Sequence, residues 1–347
     1  KQKTAYEISL GLVGSEMCIR DSSLSALTSH LEDSIELWAD VIQYPIFDEV
    51  EIERLRARRM AEIAQEKAQP RNLALRLLPP ALYGGDHPYG IPYTGSGTKA
   101  SIQSIHRDDL VRFHKDWLNS ANATIYAVGD TNLDQLLPFL EHAFKDWNTP
   151  VDKPRKEVAD VRLPESPRIV IIDKPDAPQS LILGGHVVPS LGTQRDLAIN
   201  AMNAVLGASF NARINMNLRE GKGWAYGART MLLSARGPRL LLVYAPVQTD
   251  RTGNSIAELI RELRSIRGSR PVEASEMQRV IAGLTRELPG RFETAGAVLN
   301  SMLESATYGR ALDYPASLAE RYSSLSLTDL QHETRILHPG SVLLSLI

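Results

Sequence analysis

Apolar residues recur along most of this 347-residue chain at helical spacing, interrupted by short runs of strand character. Leu31, Ile35, Trp38, Val41 and Ile42 line one helix face, and the helix ends before Pro45. Asp48 stands as the N-cap of a second helix, with Glu49, Glu51 and Glu53 in or near its positive first turn. Leu55, Met60 and Ile63 give that helix its stripe, and it ends by Pro70. A third helix runs through Leu73, Leu77 and Leu78 to Tyr83, with Pro79-Pro80 predicting a kink or break. Gly84 to Thr98 is a loop rich in Gly, Pro and Tyr. Next come a helix (Leu110 to Leu118), a strand (Ala123 to Val128) and an amphipathic helix through Leu133, Leu137, Leu140, Phe144 and Trp147. Asn148 to Pro167 carries four prolines and reads as an interdomain linker.

The second half opens on strands Arg168 to Asp173 and Ser180 to Val188, then a helix through Leu197, Ala201, Met202, Val205 and Leu206. Phe210, Ile214 and Leu218 recur every four residues and predict one face of a short helix. Gly221 and Gly223 stop it, because glycine takes a helix-ending positive φ at little steric cost. Trp224 to Leu233 then reads as a strand, and Gly237-Pro238 turns it back into the apolar run Leu240 to Val247. Three helices follow, around Leu259, Val280 and Leu299, before helix Thr328 to Leu337 and a last apolar run, Val342 to Ile347. Lys1 to Leu10 has strand character. Gly11 to Ser22 follows neither period, resembles a translated sequencing-adaptor fragment, and is expected to pack poorly.

The pattern repeats. Tyr83-Gly84 and Tyr89 return as Tyr308-Gly309 and Tyr314, 225 positions on, while Glu51 and Arg54 return as Glu276 and Arg279. Leu110 returns as Leu330 and Ala5-Tyr6 as Ala225-Tyr226, 220 positions on. One α+β unit, a largely antiparallel sheet packed with helices, therefore occurs twice, with a period far longer than a solenoid repeat. The expected domains are residues 1–150 and 151–347. By the same offset the first copy starts before Lys1, so the chain reads as an interior piece whose first domain is truncated at its N-terminus.

Composition narrows the function. With 39 basic and 41 acidic residues the net charge is −2, which argues against a nucleic-acid or anionic-membrane partner. A hydrophobic content of 43% with 23% charged residues describes a globular fold rather than a disordered chain. No apolar run approaches the ~20 residues of a membrane span. Lys1 to Ser22 shows no apolar core of a signal peptide. The single cysteine, Cys18, excludes an internal disulfide and any Cys-rich zinc site. None of the eight histidines pairs at the spacing of two zinc ligands on one helix. Gly95-Ser96-Gly97-Thr98 and Gly221-Lys222-Gly223 lack the remaining glycines of phosphate loops, and no Gly-x-Ser-x-Gly elbow occurs.

One pair remains. Arg219 closes the short helix and Tyr226 sits early in the next strand, seven positions apart across a glycine turn. Read locally, Arg219 caps the helix C-terminus and Tyr226 fills a core.

The duplicated unit, the Tyr-Gly-x-x-x-x-Tyr loop after paired helices, and Leu218-Arg219-Glu220-x-Lys222-x-x-Ala225-Tyr226 together resemble the M16 (insulinase/pitrilysin-type) zinc metallopeptidases. The match is to the second, non-catalytic half of the large bacterial members and covers almost the whole chain except Gly11 to Ser22. That resemblance implies a metallopeptidase M16/LuxS-like fold. It also implies an arginine and a tyrosine, here Arg219 and Tyr226, that bind a peptide or unstructured protein substrate. Zinc is expected on a catalytic half bearing His-x-x-Glu-His, in the same chain or on a partner. This chain has no such motif, so no catalytic residue, metal ligand or cofactor is expected in it. Glu62 falls where the family's downstream glutamate ligand would sit, and without the histidines it reads as a solvated helix face. The alternative is a non-enzymatic member of the same fold, a scaffold or assembly subunit. Bacterial relatives of the family are often cell-envelope proteins, so the resemblance implies a periplasmic or cell-envelope location as an expectation.

Overall fold

The computed structural model describes residues 7–9, 22–147, 157–162, 168–175, 177–190, 195–338 and 343–346. Two compact units emerge, Lys1–Ala64 with Ser96–Glu157, and Gln65–Gly95 with Val158–Ile347. Gly11 to Asp21, most of the segment expected to pack poorly, lies outside the described residues.

In the first unit, β1 (Glu7–Ser9) pairs antiparallel with β2 (Ser23–Ser25). Helix α1 (Leu31–Gln43) buries Ile35, Ala39 and Ile42. Helix α2 (Glu49–Ala68) starts at the expected cap, where the Asp48 carboxylate accepts from the Glu51 amide at 3.1 Å. Glu62 lies on the solvated side of α2, ion-paired with Arg59 at 2.9 Å and Arg58 at 3.5 Å. After α3 (Pro70–Tyr83), which belongs to the second unit, come α4 (Lys99–Ser104), α5 (Arg107–Trp117) and α6 (Leu133–Ala143). α6 closes on α1 through Trp38 and Phe144, edge to face at 5.7 Å, and a 3.0 Å bond from Gln43 to the Ala143 carbonyl.

The second unit is built on a five-stranded sheet in the order β3-β7-β4-β6-β5. Its strands are β3 (Ile169–Ile171), β4 (Gln179–Val188), β5 (Arg229–Leu233), β6 (Arg239–Gln248) and β7 (Leu343–Leu346). Only β3 and β7 run parallel. The helices are α7 (Asp196–Asn203), α8 (Arg213–Asn215), α9 (Thr252–Ser265), α10 (Ala274–Glu287), α11 (Ala295–Thr307), α12 (Leu318–Ser323) and α13 (Leu327–Glu333). From Leu181 to Val188 every residue of β4 is buried, as in a sheet covered on both faces. On one side Ile182, Leu241 and Val243 share a core with Ile199, Met202, Leu259, Leu263, Val280 and Leu330.

The other side is covered by α3. A Cβ at Gly185 would stand 3.2 Å from both Leu78 and Leu82, so the strand is kept thin where the helix crosses it. The Tyr83 hydroxyl donates to the Pro238 carbonyl at 2.9 Å, and the Gly237 amide donates to the Tyr89 hydroxyl at 3.1 Å. These contacts place residues 65–95 with the second unit, whereas the sequence pattern divides the chain at 150. α3 also runs unbroken through Pro79-Pro80, because burial of Leu78, Pro79, Leu82 and Tyr83 holds the turn in which donors are missing.

The repeat is visible element by element. α1, α2, α3, α4 and α5 are followed in the same order by α9, α10, α11, α12 and α13. Gly84 and Gly309 both take positive φ, at 90° and 64°, and end the paired helices α3 and α11. The Asp109 carboxylate accepts from the His106 amide at 2.9 Å, and Asp329 accepts from the Ser326 amide at 2.8 Å. The His106 amide bond holds Asp109 below the usual carboxylate range, and the Ser326 hydroxyl and amide do the same for Asp329. Ala123 to Val128, the counterpart of β7, is not a strand. β7 is held between β3 and β4, and the first unit has no counterparts of these among the described residues. No helix among the described residues is long and apolar enough to cross a membrane.

His186 in β4 is 2% exposed, with a ring nitrogen 3.1 Å from the Ile336 carbonyl. Burial lowers its pKa from 6.5 to about 4, and the Ile336 bond opposes the shift only in part. The unfolded chain takes up this proton near pH 6.5, but the folded chain does not until about pH 4. The stability from a neutral His186 is therefore complete above pH 6.5 and falls away toward pH 4, by on the order of 3 kcal/mol. His338, also depressed by burial, adds in the same direction. Urea unfolding across this range should show the slope, and His186→Gln should flatten it. An equally steep slope in the variant would refute the assignment.

Candidate functional site

The site is built where α7 and α8 feed into β5. α7 continues as a wide turn of five-residue hydrogen-bond period, Ala204–Ala208. There it comes so close to β5 that a Cβ at Gly207 would stand 2.8 Å from the Thr230 amide nitrogen. The chain then turns, with the Ala212 amide bonding the Ser209 carbonyl at 3.1 Å, and α8 starts only at Arg213. Phe210 is therefore outside the helix and 63% exposed, while Ile214 and Leu218 are buried as their spacing predicts. The four-residue period holds for two of its three members. The third is displaced by the turn.

α8 widens in turn over Met216–Gly221, and Gly223, at φ 64°, reverses the chain. The Trp224 amide bonds back to the Leu218 carbonyl at 2.9 Å. Asn215, 5% exposed, does two things with one side chain. Its amide donates to the Phe210 carbonyl at 2.8 Å, and its oxygen accepts from the Ala228 amide at 3.1 Å. Amides that a strand would give to its ladder are spent on α8, so β5 begins at Arg229 and not at Trp224. Before that, Ala225 makes only an isolated bridge to Val247.

The consequence is a cluster of three side chains. The Arg219 guanidinium carbon lies 4.9 Å from the Phe210 ring centre and 5.3 Å from the Tyr226 ring centre. Both are within cation–π range. Arg219 Nε also meets the Glu220 carboxylate at 3.2 Å, and the Arg219 side chain is 34% exposed. Tyr226 is 84% exposed, so it does not fill a core. Beside the cluster, Lys222 lies 4.8 Å over the Trp224 ring and 3.5 Å from Glu258. The two residues singled out in the sequence are thus brought together. Phe210 and Asn215 were missed as members of the site. Asn215 left one trace in the sequence, a polar residue directly after the buried Ile214.

A planar fork of donors and a phenol, fixed side by side at the surface, can bind the carbonyls of an extended chain. Among the described residues no three His, Cys, Asp or Glu side chains come together to hold a metal ion. Glu62, the one residue at a family ligand position, is occupied by Arg58 and Arg59.

Comparison with known proteins bears on this geometry. A family model described as the inactive domain of the M16 peptidases matches residues 104–284, a span that includes Arg219 and Tyr226. An uncharacterized zinc protease of Mycobacterium tuberculosis is 29% identical over 237 residues, covering 65% of this chain and 51% of that protein. The chain spans about half the length of the first curated relatives it matches. Among solved structures, a peptidase M16 inactive domain from Pseudomonas fluorescens superposes with a TM-score of 0.83 at 19% identity, covering 98% of this chain and 80% of that one. A protease from Helicobacter pylori gives 0.83 at 16% identity, covering 93% and 77%. At these identities the structural likeness speaks for the fold.

Proposed function

The chain belongs to the M16 peptidase family through its inactive domain, and from that premise we propose that it is the substrate-clamping, non-catalytic part of a zinc metalloendopeptidase. Cleavage would take place on a half bearing the zinc motif, in the same chain or on a partner. This chain would grip the peptide. The observation that carries the reading is Arg219 within cation–π distance of both the Phe210 and Tyr226 rings, with the phenol 84% exposed. An arginine serving only as a helix cap and a tyrosine serving only as filler have no reason to stand together at the surface.

In this reading Arg219 holds peptide carbonyls with its fork, and Tyr226 donates to the oxygen that gains charge as the scissile bond is attacked. Both roles need an extended, unstructured substrate, since a folded one keeps its carbonyls paired. Titration calorimetry of the chain with an unstructured peptide tests the proposal. Saturable binding, weakened by Arg219→Lys, is the expected result, because a point charge cannot replace the fork. Absence of saturable binding would overturn the clamp and leave the scaffold role.

A further inference from the structure

We propose that Phe210 is a third residue of the peptide site, one that steadies Arg219 and takes a large apolar side chain of the bound peptide. The inference rests on the clamp reading and adds a preference to it. Phe210 has no polar group, yet 63% of it faces solvent. Its place is not set by a core, since it stands outside the four-residue stripe that Ile214 and Leu218 bury. Instead its carbonyl is held by the buried Asn215 side chain, which also holds the Ala228 amide two positions beyond Tyr226. One buried amide thus sets the stations of both rings around Arg219.

The geometry fixes what each side of Phe210 can do. Its ring lies 4.9 Å from the guanidinium carbon, where a cation is attracted to the π face and where the Arg219 rotamer is restrained. The exposed remainder of the ring is apolar surface beside a fork of donors. A peptide residue whose carbonyl bonds Arg219 therefore meets an apolar shelf at its side chain. Burial of a large apolar side chain there displaces water from two apolar surfaces at once. A small side chain leaves the shelf wet.

The test uses two short unstructured peptides, identical except for Phe or Ala at one central position. Each is titrated into the wild-type chain, Phe210→Ala and Phe210→Tyr, with thermal midpoints as a control for folding. The wild type should prefer the Phe peptide by about tenfold or more, the usual worth of a filled apolar subsite. Phe210→Ala should bring the two affinities within about twofold, and Phe210→Tyr should keep the preference. An unmoved ratio in Phe210→Ala, or equal weakening of both peptides, would overturn the inference alone. Failure of the wild type to bind either peptide would overturn the clamp reading, and this inference with it.

Discussion

Arg213→Met is expected to cost the second unit about 3–5 kcal/mol of stability, the usual loss when one partner of a buried ion pair is removed. Arg213 is 4% exposed and joins the start of α8 to α10. Its Nε donates to Glu276 at 2.8 Å, and one terminal nitrogen donates to the Pro271 carbonyl at 2.8 Å. Burial pushes the Glu276 carboxyl up, but the Arg213 bonds, the Glu273 amide and the Arg270 charge hold it below its ordinary value. Methionine would leave a carboxylate and carbonyls without their donor in a desolvated place. The companion double substitution, Arg213→Met with Glu276→Met, removes both charges together and should recover much of the loss. Urea midpoints of the three proteins give the comparison. A single substitution that costs under ~1 kcal/mol would mean that the pair is not sealed from water.

Tyr226→Phe is expected to lower turnover by about 10²–10³ in a complete peptidase that includes this chain, with little change in stability. The phenol is 84% exposed, so deleting its oxygen disturbs no packing. The ring that faces Arg219 at 5.3 Å is retained, which confines the loss to one hydrogen-bond donor. If the donor serves the transition state, kcat falls while KM stays nearly constant. If it only helps to hold the ground state, KM rises and kcat is spared. Near-wild-type values of both would show that Tyr226 takes no part.

The helices of this fold were legible because each carries its own period and its own caps. Asp48 ahead of α2, and the Tyr83-Gly84 and Tyr308-Gly309 stops, mark their elements without reference to packing. What escaped was set by partners distant in sequence. Ala123 to Val128 has strand composition but, among the described residues, lacks the neighbours that hold β7. Residues 65–95 fall in the second compact unit because Gly185 and Pro238, far along the chain, receive Leu78, Leu82 and Tyr83. At the site, local spacing reads Arg219 as a cap and Tyr226 as core filler, and it is the resemblance to the M16 metallopeptidases that singles them out as a pair. The spacing that predicts one helix face for Phe210, Ile214 and Leu218 holds for the last two, whereas Phe210 lies outside the helix. Its displacement comes from the Ser209–Ala212 turn and the Asn215 bond, neither of which has a period.

The claim that joins these observations is that a peptide lies across Arg219 and Tyr226. Amide NMR of the chain during titration with an unstructured peptide tests it most directly. The account predicts saturable shifts confined to Phe210, the Arg219 to Tyr226 turn and the start of β5, which Arg219→Lys diminishes. Shifts at some other surface, or none at this turn at saturation, would contradict it.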